Sequence, residues 1–273
     1  MTNTLKKLTS ILLLLFLAPI IIAIIQTPLM TETTTEKVTE KKKEEIPVVY
    51  AAQIETPPVT QTQTVAEILP PRKAFVYFTH WQEAFKPILA ASGEKIEIYH
   101  QEKNITNFQE QITAQFAFHQ VETEFLSLEN PSETKNYNSV RPFVKDALSQ
   151  SNYDIILDIH RDSAKAATTT LQVGEESYAK LMFVVGGEHE NYKWNLQLAN
   201  KLTEELNTLV PGIARKVTVK VGDGVDGVYN QDLNKNSALI ELGGIDSTEV
   251  ELNRSIAILA KAISNILNEQ VVS

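Results

Sequence analysis

The ten residues Tyr153–Asp162, YDIILDIHRD, constrain the fold most tightly. Ile155, Ile156, Leu157 and Ile159 make a short apolar, largely β-branched run, which reads as a buried strand over Ile155–Ile159. The run leads straight into His160, Arg161 and Asp162. In an open α/β sheet, ligands gather outside the carboxyl ends of the strands. The stretch therefore predicts an imidazole presented at a strand end with a cation and a carboxylate beside it, which is how a metal or catalytic site is built.

The flanking sequence supplies the rest of such a sheet. Ala74–Phe78, Lys180–Val185, Lys216–Val221 and Ala238–Leu242 read as strands, and Lys95–Tyr99 as a short further one. Helices are expected in the first half of 105–124, over 140–149, over 192–209 and over 249–269. Trp194, Leu198, Leu202 and Leu206 recur at helical spacing, as do Ile256, Leu259, Ile263 and Leu267. Strands alternating with helices predict an α/β fold: a single three-layer domain with a mostly parallel central sheet and helices on both faces.

That domain is expected to fill residues 73–273. Before it, Lys6 and Lys7 precede an uncharged run from Leu8 to Ile25. The run is long enough to cross a hydrocarbon core of about 30 Å. Residues 1–30 are thus read as an N-terminal transmembrane anchor, with a cleaved signal segment as the rival reading. The lysines favour the inner side, so the protein is expected at the cell membrane, single-pass, with its bulk outside the cytoplasm. Residues 31–72 are charged, Thr-rich and then Pro-rich, and read as a disordered extracytoplasmic linker. A net charge of −9 gives no electrostatic footprint for nucleic acid. With no cysteine in 273 residues, disulfides and thiolate metal sites are excluded, and any metal falls to His, Asp and Glu.

Three strands bring such residues. His80 follows the first, His160 follows the Ile155 run, and Glu241 interrupts SALIELGG. A carboxylate among Ala238, Leu239 and Ile240 is costly unless it is paired or functional. Singly, each has a structural explanation: a hydrogen-bonded histidine, or a glutamate paired with an arginine. Together they match a catalytic zinc site, which takes three protein ligands and leaves one position for water. The metal lowers the pKa of that water to about 7, and a separate carboxylate takes its proton. Spacing alone leaves the third ligand open between Glu83, Glu102 and His100. Asp162 is a candidate to orient an imidazole, and Arg161 to hold a substrate carboxylate or an oxyanion; a surface ion pair is the alternative for both. Asn230, Gln231 and Asp232, in the loop GDGVDGVYNQDL, either line a polar groove or are ordinary turn residues.

Six segments resemble the C-terminal domain of the stage II sporulation protein P family, itself similar to the zinc N-acetylmuramoyl-L-alanine amidases. They are FTHWQEAF (78–85), EKNIT (102–106), DIHRDS (158–163), YAKLMFVVG (178–186), YNQDL (229–233) and ALIELGG (238–244). They occur in the family's order and span nearly the whole expected domain. The sequence departs from the family in reading NITNFQEQ where NITxVG is usual, and in the stretch 114–133. It also lacks room for the extra N-terminal domain of longer members. In the wider amidase group a Glu-Lys pair opens a helix and its Glu binds zinc. The resemblance therefore implies Zn2+ on His80, Glu102 and His160, with Glu241 as general base and Arg161 assisting. Glu83 is then left to the surroundings or the substrate, with Asp162 and Asn230, and remains the alternative ligand.

The implied function is a membrane-anchored peptidoglycan hydrolase. It would cleave the muramoyl–L-alanine amide in sporulation (engulfment) or cell-wall remodelling, working with another wall hydrolase or membrane complex. A zinc endopeptidase acting on peptidoglycan cross-links, or a non-catalytic wall-binding scaffold, are the alternatives.

Overall fold

The computed structural model describes residues 71–128 and 136–272. The expected anchor and all but the last two residues of the expected linker lie outside them. Among the described residues no helix is long and apolar enough to cross a membrane.

In chain order the elements are β1 (Arg72–Tyr77), α1 (Lys86–Ala91), a 3-10 turn (Ile105–Phe108), α2 (Gln109–Phe118), β2 (Val121–Phe125), α3 (Tyr137–Gln150) and β3 (Ile155–Asp162). Then come α4 (Ala166–Thr169), the hairpin β4 (Thr170–Val173) and β5 (Glu176–Ala179), β6 (Leu181–Gly186), α5 (Tyr192–Leu209), β7 (Thr218–Lys220), a second 3-10 turn (Gln231–Leu233), β8 (Ser237–Gly244) and α6 (Glu249–Val272). Six strands form one sheet in the order β2-β1-β3-β8-β6-β7. The first four are mutually parallel, β6 runs antiparallel to β8, and β7 runs parallel to β6. The fold is thus α/β with a mostly parallel sheet, as expected, and the β6–β8 pair is antiparallel. The reversal has a topological cause. A parallel neighbour needs a long crossover, usually a helix. Between β3 and β6 the chain has only the four-residue α4 and the β4–β5 hairpin, an element the hydrophobic pattern did not predict.

Side-chain alternation sorts the strands onto two faces. Ala74, Val76, Ile155, Leu157, Ile159, Phe183, Ile240 and Leu242 point one way and pack against α2, α5 and α6 in the main core. Leu202 and Leu206 of α5 and Ile256, Leu259 and Ile263 of α6 belong to it, as their helical spacing required. The opposite face is covered in two patches. Phe75, Tyr77 and Ile156 lie under Val140 and Val144 of α3, and Val184 and Leu239 lie under Tyr229, with Tyr137 packed alongside. On this second face β3 also carries Asp158 and His160, and β8 carries Glu241, because two-residue spacing keeps them in step with Ile156 and Leu239.

Two boundaries differ from expectation in ways that matter to the site. β3 continues to Asp162, so His160 and Arg161 lie inside a strand, not beyond its end. Lys95–Tyr99 forms no strand: Tyr99 makes an isolated bridge with Glu83, and Ile96, Ile98 and Tyr99 stand exposed. With no neighbouring strand along the segment, its β-branched residues form a rim and not a ladder.

Candidate metal centre and cleft

The site is assembled from a turn after β1, from the second face of β3 and from β8. The chain leaves β1 through a turn in which the Glu83 N–H donates to the His80 carbonyl (3.0 Å), bringing these two side chains together. Asp158 fixes the same turn, accepting from the Thr79 N–H (3.0 Å) and hydroxyl (2.7 Å). The Glu83 carboxylate reaches β3, where its Oε2 accepts the Arg161 backbone N–H at 2.7 Å. Its oxygens then lie 3.7 Å from His80 Nδ1 and 3.8 Å from His160 Nδ1. The two imidazoles meet edge to face, 4.9 Å between centroids. One ligand atom from each of His80, Glu83 and His160 lies within 4.8 Å of the others. Donors about 2 Å from a shared tetrahedral ion are themselves separated by roughly 3–4 Å, so the donor set and its spacing fit a divalent cation of the zinc type.

The surroundings of His160 reinforce this. Its Nε2 lies 3.0 Å from Asp158 Oδ2 in a buried ion-pair contact that falls short of hydrogen-bond geometry, and its Nδ1 faces Glu83. A carboxylate on the far nitrogen of a ligating histidine is the usual arrangement. Burial works to lower the His160 pKa, but Asp158, Glu83 and Glu241 outweigh it and raise it to about 9. The negative potential that holds a proton there would equally hold a metal cation.

Glu241 stands directly opposite His160 across the β3–β8 pair. Burial, aided by Glu83 and Asp162 against the pull of His160 and Arg161, pushes its carboxyl up to about 7. Its Oε2 is buried without a hydrogen-bond partner among the described residues. Glu241 lines a cavity of about 380 Å³ together with Glu83, Tyr137, Arg161, Asp162 and Lys220. A carboxyl with a pKa near neutrality beside three groups able to hold a metal is suited to general acid–base work.

Tyr137, the first residue of α3, roofs the centre. Its ring stacks on His160 (6.0 Å) and meets His80 edge-on (5.4 Å). Burial first, then Asp158 and Glu241, raise its phenol far above the ordinary value, so it stays protonated. Tyr229 meets Tyr137 edge-on at 5.0 Å. Both Tyr229 and Asn230 adopt left-handed backbone (φ 55° and 56°), and the loop carrying them is fastened at several points. Asn230 donates to the Tyr137 carbonyl (3.0 Å) and accepts from Arg141 (3.0 Å). Asp232 takes a two-pronged contact from Arg141, at 2.8 and 2.5 Å. Gln231 accepts the Gly186 N–H and donates to the Val184 carbonyl, stitching the loop to β6. A side-chain carbon at Gly186 would run into the Gly227 carbonyl, so glycine is required for the loop to lie this close. These loop residues hold the roof of the cleft.

Of the expected ligands, His80 and His160 converge, and Glu83 stands with them where Glu102 was expected. Glu102 is exposed on the loop before the first 3-10 turn, and its N–H donates to His100 Nδ1 at 3.2 Å. It does not open a helix: Asn104 is the cap, accepting from the Thr106 N–H, and the turn begins at Ile105. His100 is occupied by backbone N–H groups of Glu102 and Lys103. Arg161 is buried, and its guanidinium is committed to the carbonyls of Ile98 (2.8 Å) and Asp162 (3.1 Å). Asp162 pairs with Arg215 and accepts from the Ala164 N–H; the imidazole contact expected of it is made by Asp158. Asp158 and Tyr137 were not foreseen. The two-residue spacing of Asp158 and His160 on one strand was the available signal for the first, and nothing local marks the second.

The model of the SpoIIP family, stage II sporulation protein P, matches residues 25–264. Over 204 residues the chain is 34% identical to stage II sporulation protein P of Bacillus subtilis (strain 168), covering 71% of this chain. The chain belongs to the stage II sporulation protein P family. It spans about half the length of that curated relative, 50%.

Solved structures that it resembles in part include Cwp6 from Clostridium difficile (TM-score 0.46, 12% identity, 71% of this chain and 29% of that one). A metallo-carboxypeptidase from Burkholderia cenocepacia matches at TM-score 0.47 and 9% identity, over 76% of this chain and 60% of that one. Murine aminoacylase 3 matches at 0.43 and 14%, over 73% and 65%. In this stage II sporulation protein P family member the segments FTHWQEAF and DIHRDS meet at the metal centre, ALIELGG brings Glu241, and YNQDL forms the roof-holding loop.

Proposed function

We propose that this protein is a zinc-dependent N-acetylmuramoyl-L-alanine amidase that hydrolyses peptidoglycan during sporulation. In this reading residues 1–30 anchor it at the cell membrane with the catalytic domain outside the cytoplasm, where it works in engulfment beside a second membrane-linked wall hydrolase. The observation that carries the reading is the convergence of His80, Glu83 and His160, with Glu83 and Glu241 lining one cleft. The motif resemblance to the zinc amidases supplies the substrate.

Zinc, when bound, would supply a Lewis acid and a water ionised near neutral pH. The chain's own residues do the rest. Glu83, fixed by the Arg161 N–H, and His160, fixed by Asp158, enter the site already oriented. Glu241 takes the proton of the attacking water on its carboxylate and returns it to the leaving amine of L-alanine. Tyr137 excludes water from one side and remains a hydrogen-bond donor lining the cleft.

The test is incubation of the full chain with purified peptidoglycan, with and without chelator, and product identification by mass spectrometry. Metal-dependent release of stem peptides beginning with L-alanine is expected. Absence of that release overturns the proposal, and cleavage confined to cross-links would identify an endopeptidase.

A further inference from the structure

FTHWQEAF contributes Trp81 and Gln82 as well as the ligands, and the reaction above leaves both unused. They stand on the other side of His80 from the charged cleft. A trough of about 220 Å³ lined by His80, Trp81, Gln82 and Tyr99 opens there. It shares Tyr99 with the cleft. It shares Trp81 with a further groove of about 420 Å³ between β2 and the start of α2. Each hollow shares one lining residue with the next, and their linings differ. The cleft presents Arg161, Asp162, Lys220 and Glu241. Among the described residues the far groove is lined by no Asp, Glu, Lys or Arg; Trp81 and the stacked pair Phe78 and Phe125 line it with Leu126, Ser127, Leu128, Thr106, Gln101 and Gln109.

We propose that the Trp81 groove is a subsite for the N-acetylated sugars of a glycan strand, placing the glycan on the Trp81 side of the metal and the stem peptide on the Lys220 side. The inference rests on the peptidoglycan reading and gives that substrate a direction. An aromatic plane suits the C–H face of a pyranose. Uncharged amides, each with donors and an acceptor, suit hydroxyl and acetamido groups. The backbone carbonyls of Gln101 and Gln109 accept from Asn104 and Thr113, and their side-chain amides make no hydrogen bond to another described residue. Among the described residues a ligand bearing carboxylates finds no cation in this groove, and finds Lys220, together with the carboxylates of Glu83, Asp162 and Glu241, in the other. The scissile amide joins a neutral sugar to a charged peptide. A binding path whose polarity changes at the metal centre matches that substrate end for end.

The chain has two tryptophans, which makes the subsite observable without turnover. Trp194 lies on α5, 57% exposed. In the full chain, Trp194→Phe leaves Trp81 as the sole indole. Titration with tri-N-acetylchitotriose is expected to quench and blue-shift its emission in a saturable way. A stem peptide of L-alanine and D-glutamate should leave it unchanged. Adding Gln101→Ala and Gln109→Ala should weaken sugar binding about five- to tenfold, as expected for lost neutral hydrogen bonds. No change with sugar up to about 10 mM, or a response to peptide but not to sugar, overturns the proposal. The two readings fail separately. Hydrolysis of peptidoglycan with a silent Trp81 refutes the subsite alone. Sugar binding without hydrolysis refutes the amidase and leaves the sugar site standing.

Discussion

Glu83→Gln separates two jobs held by one carboxylate. In the structure Glu83 accepts the buried Arg161 N–H at 2.7 Å and faces both histidines. An amide can keep the first contact but is a poor metal ligand. Without metal, Glu83→Gln should therefore unfold close to wild type. Glu83→Ala, which leaves a buried N–H unpaired, should lose about 1–3 kcal/mol, or roughly 2–12 °C for a domain of this size. Zinc at about 100 times the wild-type Kd stabilises the folded state by about 2.7 kcal/mol, which is roughly 5–11 °C in Tm. Wild type and Glu102→Ala should both show that rise, since Glu102 is exposed and outside the ligand cluster. Glu83→Gln and Glu83→Ala should show none. The assay is differential scanning fluorimetry of the full chain, chelator-treated and then zinc-titrated, with metal content measured in parallel. A full zinc-induced rise in Glu83→Gln with none in Glu102→Ala would refute the assignment of Glu83.

Glu241→Gln should abolish hydrolysis while retaining stoichiometric metal, because Glu241 is proposed to move protons and not to bind the ion; turnover and metal analysis on one sample check this. Asp158→Asn should weaken zinc binding about 10- to 100-fold through His160, measurable by competition with a chromogenic chelator. The hydrogen bond from Arg141 holds the Asp232 carboxyl below its ordinary value. A depressed folded pKa gives stability that is present above the unfolded value and lost as pH falls through the folded one. Asp232→Asn should therefore cost about 0.5–1 kcal/mol at pH 7 for a partly exposed pair and flatten the acid limb below pH 4 in urea titrations.

The residues easiest to find from sequence were those that break an apolar run. His160 and Glu241 each interrupt a strand whose other residues are buried, and a polar group in that setting stands out in one dimension. Spacing does not separate Glu83 from Glu102, and the family resemblance favours Glu102. What decides between them is the reach of a turn across β1 to the Arg161 N–H, a tertiary contact that spacing does not encode. Asp158 was legible in principle, two residues from His160, but was absorbed into the reading of a buried strand. Tyr137 comes from a helix more than 20 residues earlier and meets His160 only through the packing of α3. Strand direction was also hidden: the period-two pattern of β6 is the same whether it runs up or down beside β8. The hairpin over 170–179 carries no clear pattern because its strands are four residues each, mix polar with apolar residues, and bury only Ala179.

The pairing of His160 with Glu241 joins two positions about eighty residues apart, and β8 is the last strand of the sheet to be made. A one-residue slip between β3 and β8 would turn Glu241 into the apolar core and bring Leu242 or Ile240 to the cleft. The proposed acid–base group therefore cannot be delivered early or in part. A nascent or threaded chain lacking β8 would have its histidines but no group to move protons. Under the proposed function, hydrolytic competence and completion of the sheet arrive as a single event.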